Sequence, residues 1–462
     1  MQNAPPTRNP RPAWSAVVTT LSVLLGLVLA TGTAQAVPAF ARKYHTTCQT
    51  CHGVPPKLNP FGMAFRRNGY RFPENGDEAM RKDEPVPLGQ EANADLFPEA
   101  VWPGDLPGAS TMSIVMQGAL VLSENVVPAH VHGAVPAIGA KATPEPGSAK
   151  ALWGTEFGLN EAALVWGGTL GETLAYFGKV AFGTGAHAGT TVERPQVVWT
   201  PFGATLGFRM GLYEPGLTPA LSMHRNTMGH DLLFTSSALG DNTWAPEPEQ
   251  LGVESFGVFG DGRIGYTAGV VEGSGNVANR AKDFYGRLEY KLGGMRLDGV
   301  GGTTETKPWR EWSITAGAFG YKGFATFQDP THSLIFARQS DSFYRVGGDI
   351  NAFLGDVNLM LAGFHQGDQR PIFADRNSGS LQGGVAQLEY TIFPWLVPAA
   401  RYEVFRQTLP PDVKPEMGHH LTLGINMLAR ADVYVRVVGR LIAERGDSLA
   451  AKDVTLIAGW AL

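Results

Sequence analysis

His420-Leu421-Thr422-Leu423-Gly424-Ile425-Asn426-Met427-Leu428 is the stretch whose reading decides the fold. In an extended chain Leu421, Leu423, Ile425 and Met427 point to one side, and His420, Thr422 and Asn426 to the other. The same period of two recurs upstream, where Phe284, Leu288, Tyr290 and Leu292 alternate with Asp283, Tyr285, Arg287, Glu289 and Lys291. Downstream, Val433, Val435, Val437 and Leu441 alternate with Asp432, Tyr434, Arg436 and Arg440. These are strands with one apolar and one polar face. A soluble sandwich and a membrane barrel would both write that pattern, so the connections between strands have to separate them.

The connections alternate in length from about Thr111 to the end. Short breaks fall at 168–171, 200–203, 292–294, 321–322 and 429–431, among others. Between them lie long ones such as 125–154, 214–247, 302–310 and 407–417. Long loops on one side and short turns on the other are the habit of outer-membrane barrels. Counted this way the chain holds about eighteen strands, or sixteen if one hairpin is misread; either number is even and leaves both barrel ends on the periplasmic side. The last segment carries Val454, Leu456, Ala458, Trp460 and Leu462 on one face, an amphipathic terminal strand. The expected fold is therefore all-β: a transmembrane antiparallel β-barrel of about 16–18 strands, over residues 111–462.

Composition agrees. Of 462 residues 58 are glycine, about one in eight against a usual ~7%, and charge is 17% against a usual ~25%. The formal net charge is −5, and a nucleic-acid partner is not expected. Arg8 and Arg11 precede an apolar run from about Ala16 to Ala30 and then Ala34-Gln35-Ala36, the three regions of a secretory signal peptide over 1–36. Export and a barrel together place the protein in the outer membrane of a Gram-negative bacterium.

Between the signal and the barrel stands Cys48-Gln49-Thr50-Cys51-His52. Two thiols three apart and an adjoining imidazole are what covalent haem attachment needs: a thioether from each cysteine and an iron ligand from the histidine. These are the only cysteines, so a four-ligand zinc site has no second pair, and the Pro-rich surroundings lack the βαβ context of a redox dithiol. The expected cofactor is one haem c on Cys48, Cys51 and His52. Residues 37–95 form the haem segment and 96–110 a linker. Leu58, Phe61, Ala64 and Phe65 should form the apolar face of a short helix that Gly69 ends. So small a segment buries little core without its cofactor.

With these residues in place, the chain resembles the fused monohaem cytochrome–porins of the bacterial outer membrane, among them the outer-membrane iron-oxidising cytochromes. The matching positions are Pro38-Ala39-Phe40-Ala41-Arg42, Cys48, Cys51 and His52, then Leu58-Asn59, Phe61-Gly62, Ala64-Phe65 and Gly69-Tyr70. The resemblance implies electron transfer between an extracellular donor or acceptor, with Fe(II) as one donor, and a periplasmic c-type cytochrome. It departs at Gly53-Val54-Pro55-Pro56-Lys57, which lacks a polar, His-containing stretch, and at Met63, where arginine is usual. The class of reaction is better supported than the identity of the donor. In a different class stands a solute-selective porin whose haem-bearing plug acts as sensor or gate.

Met63 is the first candidate for the sixth iron ligand, since a thioether would raise the potential; packing against the porphyrin edge is its other reading, and His45 and Met80 are further candidates. In the loops, His130 with His132, and Met223, His224, Met228 and His230 beside Asp231, could bind a metal or simply be solvated. Arg287, Arg345, Arg401, Arg436 and Arg440, with Asp283, Asp349 and Glu403, are expected on the lumen wall. There they dock the haem segment or its propionates, or pair with one another. Nothing in the chain groups a nucleophile with a base, or forms a phosphate loop.

Overall fold

The computed structural model describes residues 39–74, 76–82, 84, 111–124, 153–183, 189–219, 228, 232–246, 249–273, 281–302, 307, 309–328, 338–409, 415–430, 432–444 and 451–461. The signal peptide, the whole 96–110 linker, Leu462 and the loop residues His130, His132, Met223, His224, His230 and Asp231 lie outside them.

Sixteen antiparallel strands close into a barrel, each paired with its sequence neighbours. Strand β1 (Met112–Glu124) also pairs with the last, β16 (Ala451–Ala461), from Val115 opposite Ala461 to Glu124 opposite Lys452. The alternation in β14 (Glu416–Arg430) is realised residue by residue: Leu421, Leu423 and Ile425 are exposed, while His420, Thr422 and Asn426 are buried in the lumen. Strand β8 (Asp283–Gly293) repeats it, with Phe284, Leu288, Tyr290 and Leu292 outward. On a closed barrel such a belt has no partner but lipid. Outward aromatics flank it at both levels. Trp199, Phe259, Trp312, Tyr390 and Trp395 stand toward the turn end, and Phe157, Phe182 and Phe284 toward the loop end. These are the interfacial girdles of an outer-membrane barrel.

The lower of the two expected strand counts is the right one. Residues 295–301 are not a strand, and 321–322 is not a turn; β9 runs unbroken from Glu311 to Gln328. Tyr321-Lys322 reads as a turn in the sequence, but the strand continues through it, and the glycine that follows, Gly323, serves packing. A Cβ there would strike the ring of Phe343 on β10 (Arg338–Gly355), its registered neighbour. Gly347 gives way to Phe319 in the same manner, Gly383 to Phe364 and Gly418 to Phe405. Much of the glycine excess is therefore lumen space taken by a ring on the adjacent strand.

Residues 39–82 and the barrel belong to one compact unit. The segment holds helices α1 (Ala39–Tyr44), α2 (Pro60–Arg67) and α3 (Asp77–Met80), with a 3-10 turn at Cys48–Thr50. Phe61, Ala64 and Phe65 of α2 are buried as expected, and Gly69 turns the chain beyond the helix at φ 65°. They pack with Tyr44, Tyr70 and Phe72, and with Ala175, Val198, Phe256 and Met295 of the barrel. One hydrophobic core is thus shared by segment and barrel.

Candidate functional site

The turn that carries Cys48 and Cys51 is built by local rules. Asn59 caps α2: its Oδ1 accepts from the Gly62 amide at 2.8 Å, and Pro60 occupies the first helical position. The Asn59 Nδ2 group donates to the carbonyls of Gln49 and Thr50, both at 3.0 Å. The helix start is thereby tied to the turn bearing Cys48 and Cys51. Gly62 completes the contact, because any Cβ there would run into the Cys51 carbonyl.

His52 is half-buried, and its Nδ1 lies 3.0 Å from the Pro56 carbonyl. A carbonyl only accepts, so Nδ1 carries the proton and Nε2 keeps its lone pair. Burial lowers the His52 pKa, with backbone hydrogen bonds opposing it, and this favours the neutral ring that ligates iron. Burial pushes Cys48 up to about 11, helped by the charge of Asp432, and Cys51 up to about 12. A redox dithiol has a depressed pKa, so these two groups are poor thiolates. The set could hold a haem through thioethers to both sulfurs and Nε2 of His52.

The other candidates fall apart spatially. Met63 is half-buried, outside the packed aromatic stripe of α2, so its thioether is not spent as core. His45 is exposed with φ 49° at the end of α1, and Met80 is exposed on α3. Met228 is fully buried in the lumen against Ala399 and Val438. Among the described residues no group of three or more His, Cys, Asp or Glu is arranged to hold a metal ion.

The segment plugs the turn end of the barrel, bonded around most of its rim. The Ala39 amide donates to Ser113 of β1 at 2.9 Å, and Lys43 to Thr169 of β2 (Trp153–Leu170) at 2.9 Å. Arg71 donates to the carbonyls of Gly171 and Leu174. Asn68 reaches the Asp298 carbonyl at 2.7 Å, and Arg67 pairs with Glu289. Lys57 pairs with Glu389 at 2.7 Å, Gln49 reaches the Pro394 carbonyl at 2.7 Å, and Arg436 holds the Pro55 carbonyl at 3.1 Å. Residues 295–301, read in the sequence as a strand between two breaks, belong to the connection after β8 and clasp α2 through Leu297, Asp298 and Gly299. Gly299, at φ 92°, lies so close to Pro73 that a side chain has no room.

From the opposite end the connection between β5 (Gly207–Tyr213) and β6 (Gln250–Phe259) folds inward. Its Leu217, Leu239 and Trp244 are fully buried against the inward rings of Tyr321, Phe343 and Phe364. Three of the eight expected wall charges hold this loop. Arg345 donates to the carbonyls of Phe234 and Ser237, Arg287 to that of Leu217, and Glu403 accepts from the Leu233 amide at 2.7 Å. The rest pair within the wall: Arg287 with Asp349, Arg401 with Glu403, and Arg440 with Asp453, while Asp283 accepts from Tyr321. Of the expected eight, Arg436 alone touches the plug in these bonds. Sequence reading missed Glu289, Glu389 and Pro56 as partners; Pro56 was legible, being four residues from His52.

No protein-family model and no curated protein matches the chain. Among solved structures, an anion-selective porin from Comamonas acidovorans superposes with a TM-score of 0.51 at 12% identity, covering 76% of this chain and 99% of that one. The outer membrane channel DcaP of Acinetobacter baumannii gives a TM-score of 0.46 at 12% identity, over 76% of this chain and 96% of that one. A loop-deletion mutant of OmpT from Vibrio cholerae gives 0.47 at 14%, over 76% and 98%. The superposition on the Comamonas porin shows a shared fold: this chain forms a porin barrel.

Proposed function

We propose that the chain is an outer-membrane electron-transfer protein, exchanging electrons between an extracellular donor or acceptor and a periplasmic c-type cytochrome. One haem c, thioether-linked to Cys48 and Cys51 and ligated by His52, supplies one-electron chemistry when bound. The observation that carries this reading is the Nδ1 of His52 held 3.0 Å from the Pro56 carbonyl beside Cys48 and Cys51, since a proton on Nδ1 leaves the lone pair on Nε2. The chain's own residues then have separate tasks. Cys48 and Cys51 fix the cofactor, Pro56 sets the tautomer, Met63 is the proposed sixth ligand, and the rim bonds hold the segment across the mouth. The lipid offers no redox centre, and a plug in the barrel is a way to carry one.

The test uses purified protein in proteoliposomes, with the reduced haem bands followed as Fe(II) is added outside. Rapid appearance of those bands supports Fe(II) as donor. A haem reduced by dithionite but not by Fe(II) removes iron and leaves another donor or outward transfer. Absence of covalent haem overturns the reading.

The second reading is a solute-selective porin with a haem-bearing plug as sensor or gate. The fold shared with an anion-selective porin favours it more directly than it favours electron transfer. Conductance separates the two, because an electron conduit has no need to pass ions.

A further inference from the structure

Most basic side chains of the haem segment have a named acceptor. Arg67 has Glu289, Arg71 the carbonyls of Gly69, Gly171 and Leu174, Lys43 has Asp77 and Thr169, and Lys57 has Glu389. Arg66 differs. Among the described residues no hydrogen bond or ion pair engages its guanidinium, although it is half-buried where α2 enters the barrel. It stands one helical turn, about 6 Å, beyond Gly62, the residue pressed against the Cys51 carbonyl. The titratable groups acting on it are Arg209, Glu214 and Arg194 of the barrel and Tyr70 of its own segment.

Arg209 of β5 is incomplete as well. Its guanidinium lies 5.2 Å from the ring of Phe256, which shares a core with Phe65 and Tyr70. Its Nη1 donates to Glu254 at 2.5 Å, but its Nε is buried with no acceptor. A buried N–H without a partner destabilises the fold, and two guanidinium groups near one another in a closed space repel. An anion answers both demands, and a carboxylate matches the guanidinium fork.

We propose that Arg66 holds a haem propionate, with Arg209 as the second donor, so that the charge of the cofactor ties α2 to the barrel wall. The proposal rests on the haem reading above. It adds a site in which one cation comes from the plug and one from the porin.

The test compares wild-type holoprotein with R66Q, R66K and R209Q by potentiometric titration and by the propionate bending band in resonance Raman spectra. Removing a cation beside the propionate favours the ferric state. R66Q should shift the ferric–ferrous equilibrium about tenfold toward ferric, a potential about 59 mV lower. It should also move the propionate band, and R66K should restore part of both. Unchanged potential and band in R66Q and R209Q, with haem still covalently bound, overturn the proposal but leave the haem reading standing. A potential change that added inorganic phosphate mimics in the wild type, with the band unmoved, assigns Arg66 to a free anion and also overturns it. Wild-type protein without covalent haem fails the underlying reading instead.

Discussion

At Cys51 the sequence motif and the three-dimensional surroundings say different things, and both are needed. The motif names the atoms that could bond. Burial, read only in the structure, sets how those atoms behave before they bond. Raised to about 11, the Cys48 thiol is some two decades less ionised near neutrality than one at the ordinary 9.0. Alkylation requires the thiolate. In protein produced without haem, iodoacetamide should therefore modify Cys48 roughly a hundredfold more slowly at pH 8 than a free thiol. The rate should climb tenfold per pH unit toward 11, with Cys51 lagging behind. Fast modification of both at pH 8 would restore the redox-dithiol reading. His52 stood out as a candidate ligand from its place in the motif. Its tautomer was not, because the Pro56 carbonyl meets it only once the chain has turned.

Individual strands were the most legible elements, because one face meets lipid and the other does not. Leu423 is the middle residue of the fifteen in β14 and is 54% exposed to lipid. L423R should cost roughly 2–4 kcal/mol. The measurement is urea unfolding in bilayers, and a loss below 1 kcal/mol would mean that this face is not at the membrane midplane. The failures were also physical. A turn was read at 321–322 inside what is one unbroken strand, and the reason Gly323 follows it is the Phe343 ring on the next strand, a contact no local window contains. The inward course of the β5–β6 connection was equally hidden. Its length was evident, and Leu232-Leu233-Phe234 and Trp244 gave it more apolar character than a solvated loop needs, but only register shows which rings receive them. Arg345 is the residue on which that loop hangs. R345A should expose the loop to proteolysis within a still-folded barrel, and a loop that stays protected would show the apolar contacts to suffice.

For the whole molecule, a barrel of sixteen strands is wide enough for a water-filled channel. Here the plug occupies one end, and a loop with its own apolar core occupies the other. An ion entering would leave water for a packed, low-dielectric interior, at a cost of several kcal/mol. Single reconstituted barrels should therefore show no steady open-porin current. Recording such a current from the intact protein would show that plug or loop leaves its seat, and would favour the porin reading.

The rim bonds of the plug carry one more meaning. The barrel closes where β1 meets β16, and the plug grips the wall on both sides of that seam, through Ser113 of β1 and through Arg436 of β15 (Val433–Glu444). It is a strap over the joint. Docking of the plug and closure of the cylinder are linked equilibria, and whatever strengthens one strengthens the other. A chain whose plug is poorly ordered is thus also a chain whose seam is weak. Cells that discard unsealed barrels would, without any dedicated sensor, discard those whose plug never seated.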